Sequence, residues 1–175
     1  TRQVAFSGEL YIESDDFALV PQPKFFRLSI GREVRLRGAY LVTATAAETD
    51  ADGNVSCVHA TYDPATRGGD APDGRKVKST MHWVAAAHAV DVTVALYEHL
   101  FSAQVPGEAT GEPLDDLNPN SRELVAAKAE AALAATEPGA VVQFERLGYF
   151  ALDPRAPMLF HRTVGLRDEW ANIQK

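Results

Sequence analysis

The 175 residues suffice for one ordinary domain or two small ones, and a composition 46% hydrophobic and 23% charged is that of a chain folding around a core. The net charge of −7 argues against a nucleic-acid surface spread over the whole molecule, and no apolar run approaches the roughly 20 residues of a membrane span. A single cysteine, Cys57, excludes an internal disulfide and fits a reducing, cytoplasmic setting.

Along the chain, Thr1-Arg2-Gln3-Val4-Ala5-Phe6 already alternates polar and apolar residues, with no initiator methionine or signal peptide before it. The expectation is a piece of a longer polypeptide that begins close to or inside a strand. Short runs of β-branched and aromatic residues then mark strands at Gly8 to Ile12, Phe26 to Ile30, Glu33 to Arg37 and Tyr40 to Ala46. Asp52-Gly53-Asn54 signals a hairpin turn into Val55 to Tyr62, where Cys57 is expected as a small buried hydrophobe. Gly68 to Gly74 reads as a polar loop, followed by an alternating run from Lys76 to Val84. Val90, Val92, Val94 and Leu96 repeat with a period of two. One segment differs. Asn120 or Ser121 is a suitable N-cap, an Ala-, Leu-, Glu- and Lys-rich run follows, and Pro138-Gly139 is a stop, which predicts a helix over about 121–135 with a mostly alanine face. Strands resume over Val141 to Asp153 and Met158 to Val164. The fold class expected is all-β, with β-barrels, hairpin connections and one short helical insertion.

No catalytic residue is nominated. The five histidines lack HxH or HExxH spacing and there are no paired cysteines, so no metal ligand set is nominated either. A nucleophile elbow and the glycine-rich phosphate loops are also absent from the sequence. Asp15-Asp16 and Asp115-Asp116 sit in turn-like surroundings and read as solvated loop ends rather than a glycosidase pair.

The charge, however, is unevenly placed. Lys24, Arg27, Arg32, Arg35 and Arg37 face Glu33 alone, and Arg155, Arg162 and Arg167 come with no acid between them, whereas seven carboxylates crowd the stretch from Glu108 to Glu137. Pro23 to Tyr40 reads as a strand, a tight turn at Gly31 and a second strand. Within Val34-Arg35-Leu36-Arg37 the strand period puts both guanidiniums on one face, which Arg27 can approach across the hairpin. With Phe25 or Phe26 as a stacking surface, such a face suits phosphates and unstacked bases of single-stranded RNA. A solvated outer strand face is the competing reading.

Ser7-Gly8-Glu9-Leu10, Phe26-Arg27-Leu28, Gly31 to Arg37, Asp73-Gly74-Arg75-Lys76-Val77-Lys78, His82-Trp83-Val84, Gln143 to Phe150 and Arg162 to Asp168 together resemble the C-terminal region of the glutaminyl-tRNA synthetase family. They occur in the family's order and span nearly the whole chain. The resemblance implies that residues 1–175 form an anticodon-binding region, two β-barrels with a boundary near 85–105, gripping the anticodon loop of glutamine tRNA with its bases splayed into separate pockets. It implies RNA contacts at Arg27, Arg35 and Arg37 in the first half and at Gln143 and Arg146 in the second. Lys24 stands where the family places a polar or basic residue, and Phe26 where some members have a lysine. The HIGH and KMSKS-like signatures of class I catalytic domains are absent from this sequence. The resemblance therefore implies that ATP and magnesium belong to a catalytic domain elsewhere in the same chain, with no cofactor in this segment. It further implies a monomeric, cytoplasmic ligase with no DNA or membrane partner. The corresponding region of a glutamate–tRNA ligase, a free-standing RNA-binding barrel and a small histidine-dependent hydrolase are the alternatives.

Overall fold

The computed structural model describes residues 3–68 and 70–166, and the chain divides into two compact units, Thr1–His88 and Ala89–Lys175. Strand accounts for 40% of the structure and helix for 11%, so the class is all-β.

The first unit carries β1 (Leu10–Tyr11), β2 (Glu33–Leu36), β3 (Leu41–Thr49), β4 (Val55–Asp63), β5 (Thr80–Met81) and β6 (Val84–Ala85). Four of them form a sheet in the order β4-β3-β2-β5, antiparallel except for the parallel β2–β5 pair, and β1 pairs with β6 separately. The hairpin between β3 and β4 closes where the sequence predicts. The Asp50 carboxylate accepts the backbone N–H groups of Asp52 and Asn54 at 3.0 and 2.8 Å, and Gly53 takes the left-handed conformation (φ +84°) such a turn demands. Beneath the sheet lies a core of Leu28, Val34, Leu36, Ala39, Val42, Ala44, Met81, Trp83 and Ala85. Trp83 satisfies its indole by donating to the Arg37 carbonyl at 3.0 Å, and it separates β5 from β6 where the sequence suggests one continuous strand.

The second unit holds β7 (Val90–Tyr97), β8 (Arg122–Ala129), β9 (Val141–Phe144), β10 (Gly148–Leu152) and β11 (Leu159–Gly165), in the order β8-β7-β11-β10-β9. Only β7–β11 is parallel. Its core is Val92, Val94, Ala129, Phe150, Leu152 and Phe160, with Phe144 stacked on Phe150 at 4.4 Å between centroids. Gly148 is indispensable to the β10–β11 pairing, because a Cβ there would sit 2.4 Å from the Val164 carbonyl oxygen.

Four expectations are corrected. Among the described residues the sheets stay open and do not close into barrels. The helix expected over about 121–135 is instead strand β8 followed by a 3₁₀ turn at Ala131–Ala135. Pairing with β7 runs from Val90↔Ala129 to Tyr97↔Arg122, and this nonlocal ladder overrides the weak local preference of Ala, Leu, Glu and Lys for helix. Ser121 caps no helix; its N–H donates to the Asn118 carbonyl in the turn that enters β8. The hairpin expected between Phe26–Ile30 and β2 does not form. Both edges of β2 are occupied, by β3 and β5, and residues 26–30 make only isolated bridges, Leu28 to Phe17 and Ile30 to Ala44. Cys57, finally, is exposed rather than buried, because β4 is an edge strand with most of both faces open. Thr1, Arg2 and Arg167 lie outside the described residues, and Gln3 to Phe6 form no strand.

Candidate nucleic-acid interface

Strand alternation does what the sequence suggests in β2. Val34 and Leu36 are buried in the core, while Arg35 and Arg37 point to the opposite face. Arg37 lies just past the strand end, exposed, with its backbone fixed by N–H donation to the Met81 carbonyl at 2.9 Å. Along that outer face the residues line up in two rows across the sheet, Glu33–Thr43–Thr61 and Arg35–Leu41–Asp63.

The face is not simply basic. Arg75 reaches across it from the following loop, its Nε and Nη2 donating to the two oxygens of Glu33, both at 2.9 Å. Nη2 also donates to Asp63 at 2.6 Å and Nη1 to Asp73 at 2.6 Å. The three carboxylates, Glu33 foremost, hold the guanidinium far above its usual range. In return, the Arg75 side chain and the Ala65 N–H pull the Asp63 carboxyl below its ordinary value of 3.8, and the backbone and side chain of Arg75 do the same for Asp73. One residue thus ties β2, the end of β4 and the loop after it together. From that loop Asp70, almost wholly exposed, accepts from the Arg35 guanidinium at 2.8 Å, leaving the Arg35 side chain 19% exposed. In sequence Arg75 stands out only as part of the Asp73–Lys78 motif, and Glu33, 42 residues away, gives no local signal of the clasp.

Arg27 does not join Arg35 and Arg37 across a hairpin. Its Nη1 lies 3.0 Å from the carboxylate of Asp16, which is fully buried, and donates to the Asp15 carbonyl at 3.1 Å. Asp16, read from the sequence as a solvated loop end, is therefore an internal counter-ion. Lys24 is exposed in a turn with φ +68°, and Phe26 is 54% exposed with the Lys78 ammonium 5.4 Å from its ring centroid.

In the second unit Gln143 is exposed on β9 opposite Tyr149, and Arg146 is exposed in the turn joining β9 to β10 with φ +66°. The strand expected over 141–153 is a hairpin instead, turned by the left-handed Arg146 and by Gly148. Arg162 on β11 donates to the Tyr97 carbonyl and to Glu98, both at 3.3 Å, while Arg167 and Asp168 of the same motif lie outside the described residues. His59 pairs with Glu48 at 2.6 Å, and His161 lies 2.8 Å from Asp153 and 2.6 Å from Tyr97. The His161 hydrogen bond lowers the Asp153 pKa. Among the described residues no group of three or more His, Cys, Asp and Glu is placed to hold a metal ion, and no helix is long and apolar enough to cross a membrane.

Two open all-β units that each present basic or amide side chains beside exposed aromatics agree with the family comparison. Residues 1–63 and 80–153 match two family models, both described as tRNA synthetases class I (E and Q), anti-codon binding domain. The chain belongs to this family of class I synthetase anticodon-binding domains. Over 99% of its length it is 52% identical to the glutamine–tRNA ligase of Nitrobacter hamburgensis, 48% to that of Rhodopirellula baltica and 46% to that of Escherichia coli O157:H7. It spans about a third of those relatives, 31%, 30% and 32% of their lengths respectively.

Proposed function

We propose that the chain is the anticodon-reading region of a glutamine–tRNA ligase, with two halves, divided near 85–105, that each supply contacts to the anticodon loop of glutamine tRNA. The observation that carries this reading is that both halves match anticodon-binding models while the similar proteins, at 46–52% identity, are glutamine–tRNA ligases. Six residues are assigned to the RNA: Lys24, Arg27, Arg35 and Arg37 in the first unit, and Gln143 and Arg146 in the second. Arg35, Arg37 and Arg146 supply planar, multi-donor groups that suit phosphates and base edges, and Gln143 supplies an amide with both donor and acceptor. ATP and magnesium act in a catalytic domain of the same chain outside these residues, and the ligase works as a cytoplasmic monomer.

Charging assays test the assignment. In the complete ligase, Arg35→Ala and Arg146→Ala each lower kcat/KM for the tRNA by about 1–3 kcal/mol, the scale of a lost bidentate base contact. Wild-type kinetics in both variants would remove these residues from the interface. The family description covers E and Q alike, so charging with glutamate in place of glutamine would reassign the substrate while leaving the anticodon role intact. Affinity of the chain for tRNA falls steeply with salt if guanidinium–phosphate contacts dominate, and salt-insensitive binding contradicts that.

A further inference from the structure

We propose that Phe26 and Lys78 form a base-stacking subsite, taking the flat face of an unpaired nucleobase from single-stranded RNA. The inference rests on the RNA-reading function above and adds to it a contact no basic residue supplies. A lone exposed phenylalanine is ordinary on a protein surface. This one differs in how it is held and in what lies beside it.

The segment under the ring is pinned on both sides. Before it, the Phe25 carbonyl accepts from the Arg32 guanidinium, and the Phe25 N–H donates to the Gln22 carbonyl at 3.0 Å. After it, Arg27 is anchored on Asp16 and the Asp15 carbonyl. Leu28 is buried, with its N–H on the Asp16 carbonyl at 2.9 Å. Phe25 is half-buried, so of the two neighbouring rings Phe26 alone is offered to solvent, at 54% exposure. Little conformational freedom remains to be lost when a base settles on it. Lys78, on the run leading into β5, places its ammonium 5.4 Å from the same ring centroid. The ammonium stands over one face of the ring, held by cation–π attraction, so a base would stack on the opposite face with its backbone toward the charge. Aromatic face and cation together are what a splayed nucleotide requires: one for the base, the other for its backbone. Because every base has a π-face, the subsite contributes affinity and does not by itself select a base.

The test uses the full 175-residue chain and an anticodon stem–loop RNA with 2-aminopurine introduced at each loop position in turn. On binding, one position is quenched by wild type and by Phe26→Tyr. Phe26→Ala loses that quench and binds at least about fivefold more weakly, with the slope of log Kd against log salt unchanged because no phosphate contact is removed. Lys78→Met keeps the quench and weakens binding about two- to fivefold. Both residues are exposed, and both variants melt with wild type. Wild-type affinity in Phe26→Ala, or weakened binding by that variant with the quench intact, overturns the subsite while leaving RNA reading in place. A wild-type chain that binds no RNA removes the subsite and the function together.

Discussion

Replacing Arg27 by alanine is expected to unsettle the first unit before it affects any RNA contact. The Asp16 side chain is fully buried and lies 3.0 Å from the guanidinium, whose own side chain is 35% exposed. Truncation removes this guanidinium from the enclosed carboxylate, and breaking a buried pair costs about 3–5 kcal/mol. Since the arginine is partly open to solvent, water follows into its place, and the lower end, about 3 kcal/mol, applies. For a unit of this size each kcal/mol shifts Tm by roughly 4–8 °C, so the first unit melts at least about 12 °C earlier. The assay is thermal and urea unfolding of Arg27→Ala, Asp16→Asn and the double variant, followed by circular dichroism. Asp16→Asn removes the charge but keeps the shape, so the double variant regains part of the loss, and the cycle gives a coupling energy of about 1–2 kcal/mol. A wild-type midpoint for Arg27→Ala, or strict additivity in the double variant, would refute the argument and return Arg27 to the status of a pure RNA contact.

Acid should act on the same unit through Arg75. Asp63 and Asp73 are held below the ordinary carboxylate value of 3.8 in the folded state, so their contribution is fully present above that value and is lost as pH falls through their lower folded pKa values. Stability therefore declines below about pH 4, and Arg75→Ala flattens that decline in pH-dependent urea midpoints; an unchanged acid limb would contradict the clasp. In the second unit, Gly148→Ala forces a methyl against the Val164 carbonyl and costs about 2–4 kcal/mol, measured as a lower urea midpoint. A near-neutral result would mean that the β10–β11 register relaxes freely.

What the sequence made legible was local. The inward Val34 and Leu36 with outward Arg35 and Arg37 follow from a period of two within four residues, and the Asp50–Asn54 turn follows from the short polar side chains that close it. The parts that escaped depend on partners distant in sequence. Arg122–Ala129 has helix-favouring residues and becomes a strand because β7 offers an eight-residue ladder. Arg27 and Asp16 share no periodic relation, and Arg75 finds Glu33 only after β3 and β4 have turned the chain back. Barrel closure likewise depends on which strands meet at the edges, and the parallel β7–β11 pairing sets an order that repetition of strand signals does not encode. Family resemblance located the candidate residues, but the carboxylates beside Arg27 and Arg35 emerged only with the fold.

Among the described residues three that are not glycine adopt a positive φ, and two of them are Lys24 and Arg146. A left-handed conformation costs an ordinary side chain about 1–2 kcal/mol relative to glycine. A library selected only for heat resistance should therefore drift toward glycine at both positions, gaining robustness while erasing two of the six assigned contacts. Under the proposed assignment, thermostability and RNA reading are set against each other at these two turns, and an engineer who wants both holds Lys24 and Arg146 fixed.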